Sequence, residues 1–475
     1  MRILSCLLLV LALSVFAASA QASFGEPLLI SALADAATCV YACDIDGDGD
    51  NDVLSSSYFD NKIAWYRNNG SGAFSDQIVI SSTANGANSV FACDLDGDGD
   101  NDVLSACWLG NKVYWYENTD GNGTFSSAKM ITGSAVGAHS VYACDIDGDG
   151  DMDVLSASYY DHKIAWYENM GEGGTRFGLQ QVITATAYNA LSVFAIDLDG
   201  DNDIDVLSAS RADNKIAWYR NTDGKGTFGA QQVISTSTVE PFCVFACDID
   251  NDGDNDALSA SETDNKIAWY ENTDGNGTFG PQQIITTSAY GAEYVRACDI
   301  DLDGDVDVLS ASYYDDKIAW YENTDGDGTF GAQQIITTGA SGAFAVGAAD
   351  LDGDGDFDVL SASGDGDKIE WYRNDCVTSA GDEEDHSTPF KYDLMNYPNP
   401  FNPTTVIQYE LREKGLVTLK VFDVLGHEVA TLVDEEKPRG RYKVEFDAGD
   451  LASGIYFYRF KVGDYIESRK MVLIR

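Results

Sequence analysis

Residues 192–236 read SVFAIDLDGDNDIDVLSASRADNKIAWYRNTDGKGTFGAQQVIST. The acidic phrase inside this stretch, D-x-D-x-D-x-D-x-D, occurs seven times, beginning at Asp44, Asp94, Asp145, Asp197, Asp248, Asp299 and Asp350. The successive gaps are 50, 51, 52, 51, 51 and 51 residues. A tryptophan follows each first aspartate by 21 positions: Trp65, Trp115, Trp166, Trp218, Trp269, Trp320 and Trp371. A fixed period of this length signals a repeat architecture. Within the unit, SVFA, DVLSAS, KIAWYRN and FGAQQVI are rich in β-branched and aromatic residues, polar or glycine-rich turns separate them, and no helical period appears. Four short strands per repeat of roughly 40–50 residues predict a propeller blade. The expected fold class is therefore all-β, a seven-bladed β-propeller over residues 23–375. A four-stranded sheet cannot bury both faces alone, so blades must stack, and the tryptophans are expected between them.

The seventh repeat stops at Trp371-Tyr372-Arg373-Asn374, before its glycine-rich turn and fourth strand. Phe24-Gly25-Glu26-Pro27-Leu28-Leu29-Ile30 aligns with Phe228-Gly229-Ala230-Gln231-Gln232-Val233-Ile234, and Ile30 precedes Asp44 by the same distance that Ile234 precedes Asp248. The N-terminal strand is thus expected to complete the last blade and remove two open edges.

The chain carries 78 Asp and Glu against 29 Lys and Arg, a formal net charge of -49, and 35 of the acids are the repeated aspartates. Such a field repels nucleic acid and anionic membrane. A hydrophobic content of 44% excludes a disordered acidic chain. Residues 1–22 read as a secretory signal peptide: Arg2, an apolar run from Ile3 to Ala18, then small residues at Ala18-Ser19-Ala20 or Ala20-Gln21-Ala22. No later stretch is long enough to cross a bilayer as a helix. Cys43, Cys93, Cys144, Cys247 and Cys298 precede the first aspartate of five repeats, where Ile196 and Ala349 stand in the other two. A position accepting Cys, Ile or Ala is expected to be a small buried apolar site rather than a disulfide half.

Alternate carboxylates on a tight loop converge on one centre, and calcium takes six to eight oxygen ligands in a flexible cage. The expected side-chain ligands are positions 1, 3, 5 and 9, with the backbone carbonyl of position 7. They are Asp44, Asp46, Asp48 and Asp52; Asp94, Asp96, Asp98 and Asp102; Asp145, Asp147, Asp149 and Asp153; and Asp197, Asp199, Asp201 and Asp205. The last three loops supply Asp248, Asp250, Asp252 and Asp256; Asp299, Asp301, Asp303 and Asp307; and Asp350, Asp352, Asp354 and Asp358. Position 6 is Gly in six copies and Asn202 in the fourth, as a turn with φ > 0 requires. Position 12 is Ser and strands flank the loop, so an EF-hand is excluded; magnesium, with its octahedral demands, fits less well. About seven calcium ions are expected, and the alternative is an acidic turn without metal.

These loops, followed by D-V-L-S-A-S, resemble FG-GAP/VCBS repeats, which form the propeller of integrin α subunits and of some fungal and bacterial lectins. The resemblance covers residues 23–375. It implies calcium in the loops joining the two inner strands of each blade and a ligand on the opposite face. The turns there are aromatic in several repeats, and Tyr58, Trp108, Tyr160 and Tyr314 form the candidate ligand face. Exposed rings beside Asp and Asn suit sugar stacking and hydroxyl hydrogen bonds, the alternative being ordinary turn packing on the next blade. No nucleophile elbow, P-loop or zinc-protease motif is present, and the chain has only four histidines, so no catalytic residue is assigned.

Residues 376–391 are acidic and polar and read as a linker. Residues 392–475 alternate strand-like runs with Gly or Asp turns, predicting a small Ig-like β-sandwich. Its phrases YPNPFNPTT, LKVFDVLGHEV, LASGIYFYRF and KMVLIR resemble the type A C-terminal sorting domain of the type IX secretion system. That resemblance implies an outer-membrane secretion machinery as partner and an extracellular or cell-surface destination. The expected function is calcium-dependent binding or adhesion to a glycan or extracellular protein. An extracellular polysaccharide-degrading enzyme and a passive surface structural protein are the alternatives.

Overall fold

The computed structural model describes residues 22–171 and 177–376, and in the C-terminal part 394–397, 403–411, 415–422, 427–437, 440–449, 451, 454–462 and 465–473. Almost all of the expected signal segment, the linker after residue 376, and parts of the YPNPFNPTT and DVLGHEV motifs lie outside the described residues. The chain divides into two compact units, residues 1–380 and 381–475. No α-helix occurs among the described residues.

In the first unit, seven four-stranded antiparallel sheets follow one another, consistent with a β-propeller. The first repeat shows the pattern: Ala37–Cys43, Asp52–Ser57, Lys62–Tyr66 and Ile78–Ser81 pair in sequence order. Each second strand (DVLSAS in most copies) is buried along its whole length, so both faces of every sheet are covered. The first strands neighbour one another in cyclic order, and the first repeat meets the seventh. The fourth strand of the seventh sheet is Leu28–Ser31, paired with Lys368–Tyr372 in the register Leu28↔Trp371 and Leu29↔Glu370. Gly25 N–H donates to Arg373 O at 2.9 Å and extends that closure.

The repeats adhere through their tryptophans, which are 2–4% exposed. A glycine of each described glycine-rich turn lies flat against the tryptophan of the preceding repeat. A Cβ on Gly123, Gly226, Gly277 or Gly328 would overlap the indole of Trp65, Trp166, Trp218 or Trp269, and Gly72 meets Trp371 in the same way. These glycines also hold φ between 70° and 79°, so two constraints select glycine there. The five pre-loop cysteines are half-buried rather than buried, and all nine described cysteines are free. Cys43 and Cys93 pack against the neighbouring cores, close to the position 9 and position 1 carboxylates of their own loops.

In the second unit, Leu394–Tyr397, Thr404–Leu411 and Gly440–Asp447 make one antiparallel sheet. Gly415–Phe422, Glu428–Lys437, Gly454–Val462 and Tyr465–Leu473 make another. Ile407, Leu411 and Phe446 from the first sheet share one core with Val421, Tyr458, Phe460 and Met471 from the second.

Candidate metal centres and the opposite face

Each acidic loop is folded by its own first carboxylate. Asp44 Oδ1 accepts the Gly47 N–H at 2.7 Å and Oδ2 accepts the Gly49 N–H at 3.0 Å, and Asp94, Asp145 and Asp197 repeat the arrangement. Position 6 has positive φ throughout, from 69° at Asn202 to 101° at Gly304. Position 4 does as well, including 58° at Asn251 and 60° at Leu302, a requirement that five glycines in seven copies signalled. Position 2 is buried and anchors the loop, with Ile45, Leu95 and Ile249 at 0–2% exposure.

Position 9 is held differently. Asp52 Oδ2 accepts the Ile45 N–H at 3.1 Å and Oδ1 accepts the Asn68 N–H at 2.7 Å. Asp102, Asp153, Asp205, Asp256, Asp307 and Asp358 make the same two bonds. Burial pushes Asp52, Asp102, Asp153, Asp205, Asp256 and Asp358 up to about 7 and Asp307 up to about 8, although those backbone N–H groups pull the other way. Position 7 turns away from the centre: the carboxylates of Asp50, Asp100, Asp203 and Asp254 lie against a glycine of their own repeat's glycine-rich turn.

The remaining carboxylates converge. Asp44, Asp46 and Asp48 bring ligand-type oxygens within 4.8 Å of one another, as do Asp94, Asp96 and Asp98. The groups Asp145, Asp147, Asp153; Asp197, Asp199, Asp205; and Asp248, Asp250, Asp256 do the same. Positions 1, 3, 5 and 9 are all represented in these groups. Asp301 is fully buried with neither carboxylate oxygen hydrogen-bonded, and Asp96, Asp248 and Asp250 each keep one buried oxygen without a hydrogen bond. Buried anionic oxygens without donors are unfavourable unless a cation satisfies them, so the donor set fits a hard divalent ion.

Two features escaped the sequence reading. The residue two places after each tryptophan lies beside position 3. In three loops it is an arginine: Arg67 pairs with Asp46, Arg220 Nε lies 2.7 Å from Asp199, and Arg373 Nε lies 3.0 Å from Asp352. In the other four it is Glu117, Glu168, Glu271 or Glu322, each adding repulsion on its loop. The next residue is a buried asparagine in every copy. Its own N–H binds position 9, while its Nδ2 donates to the position 2 carbonyl of the preceding loop: Asn118 to Ile45, Asn169 to Leu95, Asn221 to Ile146. Asn272, Asn323 and Asn374 continue the series at 2.8 Å, and Asn68 closes it on Leu351 at 2.7 Å. The periodic WYxN signal was visible, but without a fold it assigned no partner.

The turns between second and third strands form the opposite face. Tyr58, Trp108 and Tyr160 line one cavity of about 500 Å³ with Phe59, Tyr313 and Asp365. Tyr314 does not line it; its hydroxyl donates to Glu262 Oε1 at 2.8 Å, and Tyr313 takes the lining place, donating to Asp365 Oδ1 at 2.8 Å. Trp108 also packs on Tyr159 and Tyr160 of the next repeat, at centroid separations of 4.9 and 5.2 Å. His139 in the cavity floor is buried, pushed down to about 4 by burial, and its Nδ1 donates to Leu191 O at 2.6 Å, which fixes it as a neutral structural group. Arg211 bridges Glu240 and Glu262 at 2.7 and 2.8 Å, and buried Glu293, lifted well above the carboxylate range by burial and then by Glu262, lies nearby.

No helix among the described residues is long and apolar enough to cross a membrane. Among solved structures, the chain is similar to PorZ of Porphyromonas gingivalis, a surface component of the type IX secretion system (12% identity, TM-score 0.43, covering 89% of this chain). It spans 58% of the length of PorZ. It is also similar to a protein from Lactobacillus plantarum (15% identity, TM-score 0.46, 63% of this chain and 85% of that one). A third similarity is to the V. cholerae biofilm matrix protein Bap1 (13% identity, TM-score 0.36, 95% and 69%). No curated protein matches the chain. The FG-GAP-like repeat model matches residues 44–105, 94–156, 145–208, 197–259, 248–310 and 299–361, which together span all seven acidic loops. The secretion system C-terminal sorting domain matches residues 396–474, a tail that marks a chain for export to the cell surface or beyond. The chain therefore belongs to the FG-GAP-like repeat family and ends in a secretion system C-terminal sorting domain.

Proposed function

We propose that this is a secreted or surface-displayed adhesive protein: a seven-bladed propeller holding calcium in its acidic loops and binding glycans on the opposite face. A signal peptide over residues 1–22 delivers it to the periplasm, and an Ig-like tail engages the type IX machinery. Calcium in this reading is structural. It neutralises positions 1, 3, 5 and 9 of each loop and adds stability by linkage, since it binds the folded loops and not the open chain.

The observation that carries the binding role is the cavity shared by Tyr58, Phe59, Trp108, Tyr160 and Tyr313. Several aromatic rings around a concave site with Asn88 and Asp365 at its edge suit a sugar's apolar face and hydroxyls. The test is a glycan array probed with the full mature chain in calcium and again in EDTA. Calcium-dependent binding to a defined sugar class, lost in Trp108→Ala, supports the reading. A blank array from folded, calcium-loaded protein moves the function to a protein partner.

A hydrolytic role has one observation in its favour. Glu293 is buried with Oε2 unbonded, and Glu262, 7% exposed, influences it from the same face. Turnover of a polysaccharide that disappears in Glu293→Gln would establish it.

A further inference from the structure

The third residue before each acidic loop is Tyr41, Phe91, Tyr142, Phe194, Phe245, Arg296 or Gly347, one per repeat around the ring of first strands. The first five form a continuous aromatic arc, with successive centroids 5.0, 4.8, 5.0 and 4.7 Å apart. Arg296 and Gly347 complete the circle. Together the seven line a cavity of about 360 Å³ that reaches Ala42 and Cys298, next to the acidic loops.

Arg296 is the anomaly of this cavity. Arg67, Arg211, Arg220 and Arg373 all have carboxylate partners, whereas Arg296 has no ion pair among the described residues. Its guanidinium lies 5.0 Å from the Phe245 centroid and 5.3 Å from that of Tyr294, and one nitrogen donates to Tyr294 Oη at 3.2 Å. A guanidinium has five N–H donors, so most of them are unused. Cation–π contacts return only part of what desolvation removes. The space next to it is equally specific. Gly347 is not in the left-handed region, and a Cβ there would meet Leu360 and Val40 at ordinary distances of 3.7–4.0 Å. Backbone geometry does not demand glycine at 347; its effect is to leave room beside Arg296.

We propose that this central cavity binds a small organic carboxylate. The carboxylate takes a paired hydrogen bond from Arg296, and its apolar body lies against the aromatic arc in the space left by Gly347. The site is distinct from the glycan face. Its lining reaches Cys298, which directly precedes Asp299 of an acidic loop, so the test is run with those loops loaded with calcium.

The experiment is calorimetric titration of the full mature chain, in excess calcium, with benzoate and with benzamide, its neutral analogue. The expected result is saturable one-site binding of benzoate and at least tenfold weaker binding of benzamide. Arg296→Met, which keeps the length and removes the charge, should weaken benzoate at least tenfold, and Gly347→Leu should do so with the arginine in place. Because a Cβ at 347 fits, the second variant decides the matter should Arg296→Met fail to fold. Equal binding of both probes, wild-type benzoate affinity in either folded variant, or no saturable binding would each overturn the proposal.

Discussion

Replacing Arg220 by Glu should tighten cation binding at the fourth acidic loop by roughly twentyfold. Arg220 Nε lies 2.7 Å from Asp199 Oδ2. A calcium ion bound by Asp199 would be 2.3–2.6 Å beyond that oxygen, which places the guanidinium about 5 Å from the ion. One unit charge at that range contributes about 1.7 kcal/mol against a divalent ion in water. Screening at physiological salt roughly halves this. Arg220→Glu changes the local charge by two units, so the net effect is about 2 kcal/mol. The same reasoning divides the wild-type loops. Those bearing Arg67, Arg220 and Arg373 should form a weak class of three, and those bearing Glu117, Glu168, Glu271 and Glu322 a tight class of four. Lys129, 2.6 Å from Glu117, should make the second loop the weakest of the tight class. Chelator-competition titration with calcium reads both classes. In Arg220→Glu the tight class should grow from four to five, and Glu271→Arg should shrink it to three. Seven sites titrating as one class in the wild type, or an unchanged isotherm in both variants, would refute the electrostatic reasoning.

Other outcomes follow from the same contacts. In EDTA the protein should melt at a higher temperature at pH 5 than at pH 8. Asp52 and its six equivalents titrate near 7 to 8 when folded, above the unfolded value of about 3.9, so the folded chain binds more protons across that window and loses stability as pH rises through it. A melting temperature independent of pH in EDTA would contradict this. Calcium should reverse the trend, because protons compete with it for the same oxygens. Gly277→Ala should destabilise the fold by about 3 kcal/mol, since it adds positive-φ strain at 78° to an overlap with the Trp218 ring; chemical denaturation measures it. Deleting residues 23–31 removes the fourth strand of the seventh sheet and should lower the melting temperature sharply, and no change would deny that strand a closing role. Deleting residues 392–475 should leave the protein in the periplasm, and normal export of the truncation would refute the sorting role.

The repeat, its four strands and the N-terminal closure were legible because each rests on periodic residues: the aspartates, the tryptophans, and the match of Phe24–Ile30 to Phe228–Ile234. Convergence of positions 1 and 3 with position 5 in two loops and with position 9 in three was legible too, since alternation on a tight loop brings carboxylates together. What stayed hidden depends on contacts between repeats. Asn118 reaches Ile45 across 73 residues, and nothing local distinguishes its side chain from that of a turn asparagine. On the opposite face, the sequence reading selected Tyr314 although its neighbour Tyr313 is also aromatic. Only the fold separates them: adjacent residues in the turn diverge, so Tyr313 lines the cavity while Tyr314 turns to Glu262.

The asparagine ring ties the acidic loops to one another around the first unit. Each asparagine binds position 9 of its own loop and the position 2 carbonyl of the loop before it, so a cation that fixes one loop also fixes an acceptor for the next repeat. Loss of cations should therefore loosen contacts between repeats before it disturbs strand pairing within them, because only the pair at position 9, such as Cys43↔Asp52, joins each ladder to its loop. Substituting one buried asparagine separates the two roles. Asn221→Ala keeps the backbone N–H to Asp205 and removes only the Nδ2 bond to Ile146. A buried carbonyl left without its donor costs about 1–3 kcal/mol. Calcium affinity of the fourth loop should then hold while amide exchange quickens at the junction of the third and fourth repeats. If exchange instead quickens uniformly across all seven sheets, the ring unfolds as one cooperative unit and the loops do not act through the asparagines.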